Sequence, residues 1–128
     1  MRIILALLTI AVFAWADAYI DGLAAMDRDD YQTAVRHFTE AIKIDPNSAM
    51  AYRERGISYH RLGDYTKAIA DCTQFIELDP SARAYNDRSY LYHGLNDYKN
   101  ATKDAKKACE LGECFMLEYL KKNNQIRN

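Results

Sequence analysis

Histidine and cysteine stand at spacings in this chain that could do chemistry. His60 and His93 lie 33 residues apart. Paired imidazoles can bind a metal ion, but no matched carboxylate or thiol accompanies them. Two ligands from separate elements make a weak site, so neither a metal nor a cofactor is expected. His37 has no visible partners. Cys109 and Cys114 bracket Leu111-Gly112. A chain reversal at Gly112 would bring them within the ~6 Å Cα separation that a disulfide needs. Bonded, they would staple the last element of the chain; unbonded, they are two free thiols. Their spacing is not C-x-x-C, which speaks against oxidoreductase chemistry. A Gly-rich phosphate loop, a zincin helix motif and a nucleophile elbow are all missing from the sequence. The remaining acids and bases are scattered, as on solvated helix faces, and an enzyme is not expected.

The elements that position these residues are written in a repeat. Asp30-Tyr31, Asp64-Tyr65 and Asp97-Tyr98 stand 34 and 33 residues apart, each with an alanine three residues after the tyrosine. Asp45-Pro46 and Asp79-Pro80 are 34 apart, as are Gly22 and Gly56. Several residue types sharing one period mark a repeat architecture. Each unit reads as two helices. In the middle unit, Ala49 to Leu62 contains good helix formers and stops at Gly63. Asp64 can cap a second helix from about Tyr65 to Leu78, and Pro80 ends it. Tyr65, Ala68, Ile69, Cys72 and Ile76 form its apolar stripe, which makes Cys72 a core thiol. Gly56 and Ala68 are the small residues that let the two helices approach closely.

Before the repeat comes an address. Met1-Arg2 is a short positive start, and Ile3 to Trp15 is uncharged and almost wholly apolar. Thirteen such residues are short of the ~20 that a membrane span needs. Ala14-Trp15-Ala16 and Ala16-Asp17-Ala18 both fit a signal peptidase. Residues 1–18 are therefore expected to be a signal peptide cut after Ala18, or after Ala16, and the product to be secreted or periplasmic with no stable span. An uncleaved anchor and an ordinary first helix are the alternatives. The chain carries 17 basic and 18 acidic residues, a net charge of −1. That balance gives no sign of a nucleic-acid partner.

The run Ala51-Tyr52, Gly56, Tyr59, Leu62-Gly63-Asp64-Tyr65, Ala68-Ile69, Leu78-Asp79-Pro80 resembles a tetratricopeptide repeat. The resemblance implies an all-α superhelix of three helix-turn-helix units, at about 19–48, 49–81 and 82–112. The outer units depart from the pattern: Asp29 and Asn96 stand where a turn glycine is common, and Ser89 occupies the small slot. Residues 113–128 then supply a capping helix, about Glu113 to Asn123, with Phe115, Met116, Tyr119 and Leu120 as its apolar stripe, and a frayed tail.

Stacked helix pairs curve and leave a concave surface. By the resemblance, the first helix of each pair lines it, and a partner segment docks there. The inward places hold Tyr19, Leu23 and Met26; Arg53, Ile57 and His60; and Arg83, Asn86, Tyr90 and His93. Arg53 and Arg83 are expected to reach for a carboxylate or for carbonyls. Tyr19, Ile57 and Tyr90 could instead pack only between repeats. The implied function is a non-enzymatic protein-interaction module, an adaptor or assembly factor in the cell envelope. A self-associating structural component of a larger envelope assembly is the alternative. Chaperone-adaptor members of the family hold a C-terminal carboxylate with Lys, Asn and Arg. Here those places hold Tyr19, Leu23, Glu54, Arg83 and Asp87. Glu54 and Asp87 would repel a carboxylate, and that subtype is not expected.

Overall fold

The computed structural model describes residues 1–123. Among these are seven helices and no strand: α1 (Arg2–Asp27), α2 (Tyr31–Ile44), α3 (Ala49–Arg61), α4 (Tyr65–Leu78), α5 (Ala82–Gly94), α6 (Tyr98–Glu110) and α7 (Phe115–Lys122). Each helix packs on the next in the chain, and α7 also reaches α5. This is the all-α helical solenoid that the repeat implies. The tail expected after Asn123 lies outside the described residues.

The helix ends follow from short polar residues. Asp30, Asp64 and Asp97 each accept a hydrogen bond from the backbone N–H three residues on, at 3.1–3.2 Å. Ser48 and Ser81 do the same for α3 and α5, at 3.3 Å. Each such cap satisfies a backbone donor that the helix leaves free. The residue before each aspartate has a left-handed backbone: Asp29 at φ 58°, Gly63 at 80° and Asn96 at 59°. Asp and Asn tolerate that region better than other side chains, so the outer repeats keep the turn without glycine.

The core is a row of small clusters at successive interfaces. Ala25, Ala34 and Phe38 form one; Ala18, Ala41 and Ala51 the next; Phe75, Ile76 and Ala84 a third. Ala68, Cys72 and Leu91 join α4 to α5, while Ala101, Ala105, Met116 and Leu120 seat α7 on α6. Alanine at the crossings brings the backbones close, and each repeat contacts only its neighbours. In the third pair Ser89 takes the small slot, and its buried hydroxyl donates to the Ala101 carbonyl at 2.7 Å. That bond removes the cost of burying an oxygen in the contact.

Two local expectations are corrected. α7 starts at Phe115, not Glu113, because the Glu113 N–H is used by the Ala108 carbonyl in the turn closing α6. Its apolar stripe is also narrower: Met116 and Leu120 are buried, but Phe115 and Tyr119 are exposed. One short helix lying on the side of α6 has a single line of contact to offer.

Candidate functional site

The helices α3 and α5 run side by side with a cavity of about 320 Å³ between them. Its floor is Gly56, Ile57, Cys72 and Leu91, and its rim is Arg53, His60, Arg61, Asp87 and Tyr90. A Cβ on Gly56 would stand 3.3 Å from Asp71 Cβ and 3.8 Å from Cys72 Sγ, so glycine there eases the close approach of α3 to α4 beneath the floor.

One wall is electrostatic. Arg53 Nη1 donates to Glu54 Oε1 at 2.8 Å, and its Nε donates to Asp87 Oδ2 at 3.1 Å. The guanidinium therefore bridges α3 to α5, neutralised on both sides. Burial pushes the Asp87 carboxyl above the usual carboxylate range, against the opposing pull of Arg53. The same apolar floor, with Asp87 and Asp71 nearby, pushes the Cys72 thiol up to about 12. Cys72 is thus protonated and inert at neutral pH.

The other wall is aromatic. His60 sits edge-on between Tyr65 and Tyr90, with ring centroids 5.3 and 5.4 Å away. Burial, then Arg61, lowers its pKa from 6.5. His93 repeats the arrangement between Tyr98 and Tyr119, at 5.8 and 5.3 Å. Tyr90 remains half exposed at the cavity mouth. The result is an apolar socket for a side chain, beside a polar rim that can meet a peptide backbone.

The structure divides the residues expected to line the groove. Arg53, Ile57, His60 and Tyr90 meet at this one cavity. Tyr19, Leu23 and Met26 pack against the Ala25, Ala34 and Phe38 cluster instead. Tyr19 also stacks on Trp15 at 5.2 Å. Arg83 is exposed, outside the cavity. The Asn86 amide donates to the Glu113 side chain at 3.3 Å, toward α7. His93 lies against α7, with its Nε2 buried and without a hydrogen-bond partner among the described residues. Arg53 does not offer a free cation, because both acids already hold it. Asp87, Arg61 and Leu91 belong to the cavity but were not among the expected lining. The offset of 34 between Arg53 and Asp87, one repeat, was the available signal. Cys109 and Cys114 are joined by a disulfide across the α6–α7 turn, and no cluster of three metal-ligating side chains occurs among the described residues.

A tetratricopeptide repeat model matches residues 22–86, and a second matches 82–111. The chain belongs to the tetratricopeptide repeat family. It is 39% identical over 71 residues to the protein SGT1 homolog of Oryza sativa, covering 56% of this chain and 19% of that protein. It is 45% identical over 51 residues to Hsp70-Hsp90 organizing protein 3 of Arabidopsis thaliana, covering 40% of this chain and 9% of the relative. The chain thus spans a fifth or less of these relatives. Among solved structures it is similar to the TPR2B domain of yeast Sti1, in complex with an Hsp70 peptide, with 30% identity and a TM-score of 0.72 over 75% of this chain and 78% of that one. The chain is a tetratricopeptide-repeat protein-interaction module.

These relatives overturn one expectation. They are cytosolic co-chaperones, which points to the cytosol and away from a secreted or periplasmic protein. The structure also gives the cleavage sites another use. α1 runs unbroken through Ala16 and Ala18, and Ala18 is buried against Ala41 and Ala51. Ala18 serves helix packing in the first repeat, whereas Ala16 is half-buried and Ala14 exposed. Nothing in these relatives supports the envelope setting or the signal peptide.

Proposed function

We propose that this chain is a non-catalytic adaptor that docks an extended or helical segment of a partner protein across α3 and α5. The observation that carries the reading is the cavity between those helices, where Arg53, Ile57, His60 and Tyr90 converge from two repeats. An apolar side chain of the partner fills the Ile57–Leu91 floor, and its backbone meets the rim. Related domains that hold an Hsp70 peptide support a peptide as the occupant. The mode of capture differs from a carboxylate clamp. Arg53 is already bonded to Glu54 and Asp87, and a further carboxylate beside Asp87 would meet repulsion at low dielectric. Affinity then comes from the apolar anchor and main-chain hydrogen bonds.

The test is affinity capture with the full chain, comparing wild type with Tyr90→Ala and Ile57→Asp. Loss of the same captured proteins in both variants, with helicity unchanged, is expected. An unchanged set of captured proteins would remove the groove from the account.

A further inference from the structure

The half of α1 that precedes the repeat is exposed along its whole length, and only Leu8, Ala11 and Val12 face another element, across an open hollow lined by Ile44 and Asp45. Residues 1–14 are all exposed, and Ile3, Ile4, Leu5, Leu7, Leu8, Ile10, Val12 and Phe13 are each between 58% and 76% accessible. At 100° per residue these side chains point in every direction around the helix, so there is no polar face. A surface helix normally turns one apolar stripe inward and a polar face to water. A helix that is apolar all round needs an apolar surrounding on every side. One partner helix, from a second copy for instance, would cover a single seam and leave the rest in water.

A second observation agrees. Thr9 carries the one side-chain hydroxyl between Ile3 and Ala14, and it donates to the Ala6 carbonyl at 2.8 Å. No side-chain polar group in that stretch is left needing water, and from Leu5 onward the backbone N–H groups are bonded within the helix, as hydrocarbon requires; the free first-turn N–H groups of Ile3 and Ile4 lie at the Arg2 end. The 18-residue window of α1 has a mean hydropathy of 2.2, and 6% of it is buried in the fold. It is therefore not the core helix of a soluble protein.

We infer that residues Ile3–Ala14 are retained in the working protein and lie in the hydrocarbon of a lipid bilayer. The uncharged run Ile3–Ala16 is about 21 Å long at about 1.5 Å per residue, against a hydrocarbon core of about 30 Å. Local thinning and the outward reach of the Arg2 side chain accommodate the difference. Trp15 and Tyr19, stacked on one another, fall at the interface, where amphipathic rings are favoured. Because α1 continues without a break into the first repeat, the solenoid is fixed directly to the membrane surface, with no flexible tether.

The test uses the full chain in detergent, reconstituted with phosphatidylcholine–phosphatidylglycerol vesicles and floated on a density gradient. It is compared with the double variant Leu5→Arg/Ile10→Arg. These side chains touch no part of the repeat, so circular dichroism should be unchanged. The inference expects wild type in the lipid band, resistant to alkaline carbonate, and at least tenfold less of the double variant there. It also expects the full 14.7 kDa mass in chain recovered from the cells that make it. Wild type outside the lipid band, as a monomer or as a soluble self-assembly, would overturn it. So would recovered chain that has lost the residues up to Ala16 or Ala18.

Discussion

Arg55 grips both carboxylate oxygens of Asp71, with Nε and Nη2 donating at 2.8 and 2.7 Å. Its Nη1 donates to Thr39 on α2 at 3.1 Å, so one guanidinium ties α2, α3 and α4 together. Thirty-three residues on, Arg88 repeats the device with Asp104 and Thr73, joining α4, α5 and α6. Bidentate pairs of this kind are strong and directional, and both aspartates are buried. Arg55→Ala would leave Asp71 as an uncompensated buried charge, costing about 3 kcal/mol. Urea unfolding should show that loss. Arg55→Met combined with Asp71→Leu should recover most of it, because the desolvation cost of the pair is then removed too.

Gly22 faces the ring of Phe38, and a Cβ on it would stand 2.6 Å from the ring. Phe38 is fully buried and has nowhere to move. Gly22→Ala should therefore overpack the first helix pair by about 1–3 kcal/mol. Pairing it with Phe38→Leu should give a smaller loss than the two single changes added. Additive losses in thermal unfolding would show that the two residues do not meet.

His60 predicts a pH effect with a definite sign. Its folded pKa lies below 6.5, because burial penalises the charged ring. The unfolded chain then takes the proton first, so stability falls as pH drops below about 6.5 and levels off beneath the folded pKa. Asp30, Asp64 and Asp97 have carboxyls lowered by hydrogen bonds to Thr33, Lys67 and Asn100, and their contribution is lost only in more acid solution. Asp87, raised by burial, acts in the opposite sense. Unfolding at pH 7.5 and 5.0 for wild type and His60→Phe isolates the histidine. The variant should lose less stability between the two pH values. Equal losses would contradict the assignment.

The cysteines should separate cleanly. Cys72, with its thiol pushed up to about 12, should resist iodoacetamide at pH 8 until the chain unfolds. The Cys109–Cys114 bond closes a short loop at the α6–α7 turn. Reducing it should cost roughly 2 kcal/mol in the chain-entropy account, seen as a lower unfolding midpoint. Three alkylatable thiols in native, unreduced protein would contradict both statements.

The helices were legible because local signals agree with the tertiary packing. Asp64, Gly63 and Pro80 mark ends that the backbone alone requires, and α4 covers Tyr65–Leu78 as read. The Arg55–Asp71 bridge was not legible. Its partners are 16 residues apart on antiparallel helices, a spacing with no meaning until the turn angle is known. Phe75 carries a large part of the core; seven residues after Ala68, it lies at the edge of the face formed by Tyr65, Ala68, Ile69, Cys72 and Ile76, although the stripe as read leaves it out. The groove was half legible. Family positions identify inward places, but Tyr19, Leu23 and Met26 are drawn into the Phe38 cluster by their size. Arg53 could not be known to be spoken for until Glu54 and Asp87 were in place.

The central claim is that the hollow between α3 and α5 holds the partner. A photo-crosslinking residue can replace Ile57 in the cavity floor, or exposed Lys103 on α6, outside that cavity, each in the full chain. After irradiation in cells, mass spectrometry identifies the attached peptides. The account predicts one defined partner segment joined through position 57, lost when Tyr90→Ala is added, and absent from position 103. The same products from both positions, unaffected by Tyr90→Ala, would contradict it.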